Sequence, residues 1–522
     1  MDIQFFGHNC FTVGNEIAQI VIDPWLTENG AFYGSWFQWP VNHALMPVLV
    51  EKIAQKRTYI YISHEHQDHF DIDTLKKLQR HCSDVLIPNY YDKYLGNMLR
   101  ELGFDVTELA DSEELTIADG FTIRLLIVDT GVNHDSAALI KVGSELFLNQ
   151  NDCKIFDRLK AIKEKVTYYA VQFSGATWHP VCYNYSADMK RDISRKKVNS
   201  KLIAIKNIIH GLKPDFYLPS AGPAVFPHLD ADLSLGVDNI FVHQPVLERM
   251  LKGESTKLVC LRPGEKFNLD IETDPIPAPS REEIARLSNL LPDVWKDVDK
   301  TLDVDLLVKA IRARLDQIGD LRFEKCPSLI FNWGTGGSIE GLSIDLNGSA
   351  VTPVNALPEE NFMLVSAEQK YFALMSDHAH RWQDVYLSLR AKVIRAPDVF
   401  NTFINIFLFS DVGNIRKSFQ TTLNISEERI VKIDPNTGRS YELNRYCPHN
   451  GADLIDADVD TDGHLVCPRH SWRFNLVNHG KCFETGATIK AEEVENTITL
   501  CETISVRLTK IRPVADHPAD VS

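Results

Sequence analysis

Positive charge is scarce in this chain. Its 55 lysines and arginines are outnumbered by 71 aspartates and glutamates, a formal net charge of −16 at pH 7. That balance argues against nucleic acid as a partner, because nucleic-acid binding needs basic surface to replace counterions. Long apolar runs are missing too. The best of them, near residues 403–409, is far shorter than the roughly 20 residues of a membrane-spanning helix, so no membrane partner is expected. No basic segment leading into an apolar one follows Met1, so no secretory signal is expected. The ten cysteines lack a disulfide-like spacing, which fits a reducing, cytoplasmic location. Internal repeats and low-complexity tracts are absent. What is present is a chain of 522 residues, too long for one hydrophobic core and long enough for about two to four domains.

The strongest local signal is Ser63-His64-Glu65-His66-Gln67-Asp68-His69, an H-x-H-x-D-H pattern. It follows a β-branched and aromatic run, 58–62, that reads as a buried strand. After it, Asp71 precedes apolar residues at helical spacing through residue 78. The motif therefore sits on a tight strand-to-helix loop, where its side chains can converge. Imidazole with carboxylate suits a borderline divalent metal, and ligands alternating along a turn can divide between two ions. Upstream, 5–13 and 20–25 read as two strands, and His8 and Asp23 are candidates to orient the metal histidines. Trp25, Trp36, Phe37 and Trp39 form an aromatic loop that either lines a pocket or covers a sheet edge.

Together, G-H-N-C-F at 7–11, I-D-P-W at 22–25 and the 63–69 motif resemble the metallo-β-lactamase fold, particularly its branch with the bacterial ascorbate-phosphate lactonases. The resemblance implies a four-layered αβ/βα sandwich over residues 1–272 with two metals at one sheet edge. It also implies a ligand set: His64, His66, Asp68 and His69, then His134 beyond the strand 121–129, then Asp152 beyond the hairpin strands 137–142 and 146–148. Asp152 would bridge the two ions, its negative oxygen offsetting the repulsion between dications. The last ligand, a histidine beyond the strand-like stretch 216–222, is assigned to His228, with His243 and His179 as weaker candidates. Asp68 and His69 are the residues expected to be catalytic.

Further along, residues 172–178 form a small-residue loop suited to a pocket wall. The basic segment Lys190, Arg191, Arg195, Lys196, Lys197 and Lys201 is either a solvated helix face or a site for an anionic group. Alternating prolines at 274–279 make a stiff connector. Beyond them, 281–291, 304–318 and 382–388 read as helices and 328–333, 341–347 and 362–366 as strands. Residues 280–420 are thus expected to form an α+β scaffold or dimerisation domain, compatible with a homo-oligomer, without a ligand cluster of its own.

A second signal lies near the C-terminus. Cys447-Pro448-His449 and Cys467-Pro468-Arg469-His470 give C-x-H, seventeen residues, then C-x-x-H. Zinc can use two cysteines and two histidines, but zinc knuckles usually open on C-x-x-C. The two loops resemble the Rieske domain, in which Cys447 and Cys467 would hold one iron of a [2Fe–2S] cluster and His449 and His470 the other. Short strands at 429–433 and 498–507 would flank the loops in an all-β domain over 421–515. Asn450 departs from the arginine common at this place in Rieske oxygenases.

Only about fifty residues follow His470, too few for the mononuclear-iron domain of ordinary Rieske oxygenases. The electrons are therefore expected to reach the N-terminal site, which requires iron there, because zinc has no redox chemistry. This pairing of modules resembles the CMP-N-acetylneuraminate hydroxylase family, although in its animal members the Rieske domain leads the chain. The resemblance implies an O2-dependent monooxygenase. A ferredoxin- or cytochrome-type donor would reduce the cluster, the cluster would reduce two Fe ions, and a small polar substrate, of N-acyl or sugar-nucleotide type, would be hydroxylated. The alternative is a zinc-dependent hydrolase, of lactonase or phosphodiesterase type, with a redox-sensing Rieske domain.

Overall fold

The computed structural model describes residues 1–129, 134–323, 326–377, 380–425, 428–448, 451–455, 457–469, 472–483 and 485–494. Strands Asp2–Gly7, Cys10–Gly14, Ala18–Ile22, Arg57–Tyr61, Asp84–Pro88 and Asp105–Leu109 make one sheet in that order. The first three form an antiparallel meander. The rest pair in parallel, with helices Met46–Ala54, Ile72–Leu78 and Tyr94–Glu101 in the crossovers. A second sheet runs through Glu114–Ala118, Phe121–Asp129, His134–Val142, Glu145–Asn151, Tyr168–Gln172, Phe216–Ser220 and Lys257–Leu258.

Strand Ala18–Ile22 is buried at every position, as a strand covered on both faces must be. Phe5, Phe11, Ile20 and Tyr61 pack against Ile123, Ile140, Phe147 and Tyr168 of the other sheet. On the outer faces, Val21, Ile60 and Val85 meet Leu49, Leu75 and Leu99 of the crossover helices, and Leu139, Leu148 and Tyr169 meet Ile205 and Ile209 of helix Ala187–Leu212. The result is the αβ/βα sandwich expected from the sequence. One local difference matters for the site. Residues 5–13, read as a single strand, are a tight hairpin, because Gly7 (φ 109°) and His8 (φ 51°) turn the chain back on itself.

Residues beyond the proline connector build a five-stranded sheet, ordered Ala350–Val354, Gly341–Asp345, Ser328–Asn332, Phe362–Ser366 and Lys392–Ala396. Helix Val304–Ile318 packs nearby and has the bounds its spacing predicts; the Asp303 side chain caps it by accepting from the backbone N–H groups of Asp305 and Leu306. The core here is continuous with that of the sandwich: Trp25, Phe32, Trp36 and Phe241 belong to one buried cluster with Phe331, Tyr386 and Phe407. Trp36 Nε1 donates to Leu387 O at 2.6 Å. The aromatic loop thus joins the two units.

Among its described residues, the C-terminal region holds two three-stranded sheets, Arg429–Ile433, Ser440–Asn444 and Glu492–Val494, and His464–Val466, Arg473–Asn475 and Lys481–Cys482. His449, Asn450, His470 and the strand expected at 498–507 lie outside the described residues. Among the described residues, no helix is long and apolar enough to cross a membrane.

Candidate metal centre and the adjoining cavity

Strand ends deliver the site. His8 and Asp23 close strands of the first sheet, the 63–69 motif follows strand Arg57–Tyr61, and Asp152 follows strand Glu145–Asn151. His8, Asp23 and Asn151 all carry positive φ, at 51°, 37° and 45°. Such backbone strain in non-glycine residues collects where the surrounding structure holds a functional geometry.

Asp23 is fully buried and organises the motif. It accepts from Ser63 N at 2.7 Å, Ser63 Oγ at 2.6 Å and Asn9 Nδ2 at 2.7 Å, and lies 2.7 Å from His69 Nδ1. With Nδ1 engaged, His69 is left to act through Nε2, which is buried without a hydrogen-bond partner. Two ligand groups result. His8, Asp68 and His69 offer atoms within 4.8 Å of one another, and so do His64, His66 and Asp152. Asp152 Oδ1 lies 3.8 Å from His64 Nε2 and 3.7 Å from His69 Nε2, so one carboxylate oxygen stands between the two groups. This is the placement a bridging ligand needs.

His8 Nδ1 and Asp152 Oδ1 are also buried without hydrogen-bond partners, and His8 Nε2 has only Asp68 Oδ2, at 3.2 Å. Buried polar atoms in that condition are costly unless something binds them. The imidazole and carboxylate donors fit a pair of divalent transition-metal ions. The charges agree: burial drives the His64 pKa far down, towards the neutral imidazole a ligand must be. At His69 burial also lowers the pKa, but the Asp152, Asp68 and Asp23 carboxylates outweigh it and carry it up to about 10, so the site holds an excess of negative charge that a bound dication would take up in place of the His69 proton.

Two of the expected ligands do not join these groups. His134 Nδ1 lies 3.1 Å from Asp129 Oδ1, and its ring gathers with Glu65 and Asp411 instead. Its neighbour Asp135 takes the position beside the metal motif, 3.4 Å from His64 Nδ1. Burial and the nearby Asp152 charge push the Asp135 carboxyl well up. The reason is strand alternation: successive residues face opposite sides, so a one-residue step exchanges the two. His228 sits 3.8 Å from Asp293 Oδ2 with its ring against Phe37, outside both groups, and His8 completes the triad of Asp68 and His69 in its stead. His243 Nε2 is engaged with Ser234 O at 2.8 Å.

A second set of residues carried no sequence signal. Arg381 is buried and reaches Glu65 Oε1 at 2.7 Å and Asp411 Oδ1 at 3.3 Å. Gln67 accepts from Phe32 N at 2.6 Å and donates to Asp384 at 3.3 Å. The region expected to be scaffold thereby grips the metal loop from outside.

A cavity of about 360 Å³ opens beside the metal groups. His66, Asp68, His134, Asp135 and Asp152 line it, together with Trp178, Phe409 and the lysines 154, 197 and 201. Arg469 and Trp472, from the second C-x-x-H loop and its flank, line the same cavity. Both loop cysteines are buried. Cys447 N donates to Ala452 O at 2.9 Å and Cys467 N to Trp472 O at 2.8 Å, closing each loop on itself. The loops rest on the rest of the chain through Thr402 Oγ1, which donates to Pro448 O at 2.6 Å, through Arg469 Nε, 3.5 Å from Asp157 Oδ2, and through the Phe400–Trp472 ring contact.

Fold and site define the class: a metallo-β-lactamase-fold metalloprotein with a Rieske domain attached at its C-terminal end. Residues 2–143 match the model of the beta-lactamase superfamily domain and residues 406–495 that of the Rieske [2Fe-2S] domain. In particular, the chain is similar to a Rieske 2Fe-2S iron-sulfur protein of Mycobacterium tuberculosis, 25% identical over 92% of this chain and 98% of that one. It is also 25% identical to the 4-amino-L-phenylalanyl-[CmlP-peptidyl-carrier-protein] 3-hydroxylase of Streptomyces venezuelae, over 41% of this chain and 42% of that one. Cytidine monophosphate-N-acetylneuraminic acid hydroxylase of Macaca mulatta is 25% identical over 58% of this chain and 52% of its own. Among solved structures, CmlA, a diiron beta-hydroxylase from Streptomyces venezuelae, aligns with a TM-score of 0.35 and 18% identity, covering 51% of this chain and 54% of that one.

Proposed function

We propose that the protein is an O2-dependent monooxygenase that hydroxylates a small molecule in this cavity, with electrons entering through its own Rieske domain. The observation that carries the reading is the shared cavity, which Asp152 and His66 of the metal groups line together with Arg469 and Trp472 of the Rieske loop. Two relatives with a named activity are hydroxylases, which supports it further. Each of the two groups offers two imidazoles and one carboxylate, a donor set that suits non-haem iron. Iron at these positions and the [2Fe–2S] cluster on Cys447, Cys467, His449 and His470 would supply the redox and O2 chemistry that side chains lack.

The remaining work falls to the chain. His64, His66 and Asp152 hold one position, His8, Asp68 and His69 the other, and Asp23 orients His69. The aromatic walls around Trp178 and Phe409 keep the cavity largely apolar and limit water at the reacting group. A ferredoxin- or cytochrome-type protein is the proposed donor.

Metal analysis of anaerobically prepared protein tests the reading: about four irons per chain and no zinc is expected, whereas about two of each would favour the zinc hydrolase. Cys467→Ser should abolish turnover with the reduced donor, and full activity in that variant would sink the electron-relay role.

A further inference from the structure

Helix Ala187–Leu212 carries Lys197 and Lys201 four residues apart, on one face, and that face lines the cavity. Lys154, two residues beyond Asp152, joins them. All three are half-buried, and all three donate to neutral acceptors: Lys154 to Asp152 O at 3.1 Å, Lys197 to His179 O at 2.9 Å, and Lys201 to Ser174 O at 2.6 Å and to Gln172 Oε1. Among the described residues, none of the three lies within ion-pair distance of a carboxylate, although the chain as a whole is acidic and pairs many of its other cations. Burial, and then the neighbouring Lys154 charge, bring the Lys197 pKa down to about 8 and hold that of Lys201 well below its ordinary value, against a partial offset from Asp152. Like charges at i,i+4, drawn out of water with no carboxylate in ion-pair contact and only the more distant Asp152 charge to offset them, cost stability. A solvated helix face would incur no such cost, so the arrangement is explained by a ligand that supplies the missing anion.

We infer that the cavity takes a small substrate bearing an anionic oxygen group, carboxylate or phosphate, held by Lys154, Lys197 and Lys201, with an apolar body lying against Trp178 and Phe409. The inference rests on the oxygenase reading only in treating the bound molecule as that enzyme's substrate. The anchor sits next to Asp152, so the group that reacts belongs to a short molecule, or to the anionic end of a longer one.

The test is calorimetric titration of the metal-loaded full chain with phenyl phosphate, benzoate and neutral benzamide. Both or either of the anions should bind at least about tenfold more tightly than benzamide, and which anion binds better tells phosphate from carboxylate. Lys197→Met and Lys201→Met should each weaken anion binding by on the order of tenfold, while Lys197→Arg and Lys201→Arg retain it. Without ligand, the Met variants should melt at a higher temperature than the parent, since an uncompensated cation is gone. A fold defect would move melting the other way. Equal binding of benzamide, no binding of either anion, or anion affinity unchanged in both Met variants (an anion held by the metals alone) overturns the inference. None of these results depends on whether the bound metal is iron or zinc, or on Cys467, so this proposal and the oxygenase reading fail separately.

Discussion

At the scale of single residues, Arg381 is the most consequential group outside the metal ligands. Its guanidinium stands between Glu65 of the metal loop and Asp411, with the ring of Tyr94 5.3 Å away. Asp411 in turn faces His134 through the ligand-like group that also contains Glu65. Taking out one member of a buried, charged cluster leaves the others unpaired in a medium of low dielectric, which costs more than the interaction itself was worth. Arg381→Met is therefore expected to destabilise the protein by about 3–5 kcal/mol, read from the shift in its urea midpoint, and to loosen the metal loop. Nothing in the sequence joins Glu65 to Arg381, because the contact spans 316 positions and Arg381 stands in no recognisable pattern.

At the scale of elements, the site is built by how strands end. The hairpin turn at Gly7 and His8 aims an imidazole into the Asp68–His69 group, and Gly7 is needed there: its φ is 109° and a Cβ would run into the Gln38 side chain. Gly7→Ala is expected to cost about 1–3 kcal/mol and, by displacing His8, to lower metal content measured by elemental analysis more than the fold is lowered by circular dichroism. The elements themselves could largely be read from patterning and caps. Strand Arg57–Tyr61, helix Ile72–Leu78 behind Asp71, and helix Val304–Ile318 behind Asp303 all fall where apolar spacing and capping residues put them. Parity along strand His134–Val142 could not be read. The sequence shows that His134 and Asp135 face opposite ways, but pairing with Asp129 across the hairpin decides which of them meets His64.

At the scale of the whole molecule, the metal groups and the loop that carries Cys467 belong to one chain and border one cavity, through Asp152 and His66 on one side and Arg469 and Trp472 on the other. If electrons pass within a chain, a subunit lacking the Rieske cluster cannot be served by a neighbour that lacks the metal pair. Co-expressing a Cys467→Ser chain with a His64→Ala chain, each with its own affinity tag, should therefore give doubly purified material with no turnover above that of either variant alone. Restored activity would show that the cluster of one subunit serves the metal site of another. The middle region, read as scaffold, contributes more than support. Through Leu387 it holds Trp36 of the aromatic loop, through Arg381 and Asp384 it meets Glu65 and Gln67 of the metal loop, and through Thr402 and Phe400 it holds the Rieske loops.

By itself the sequence determined the two metal-binding modules and their order, because each carries its ligands within a few residues, where local chain geometry already forces convergence. Tertiary structure alone decided that His8 gathers with Asp68 and His69 and that Asp135 stands beside His64 while His228 and His134 lie apart, that Arg381 clamps the metal loop, and that three lysines face the cavity without ion-pair partners. Those choices depend on which distant segments packing brings together, and the energy of a buried charge is set by the neighbours it meets there rather than by its neighbours along the chain.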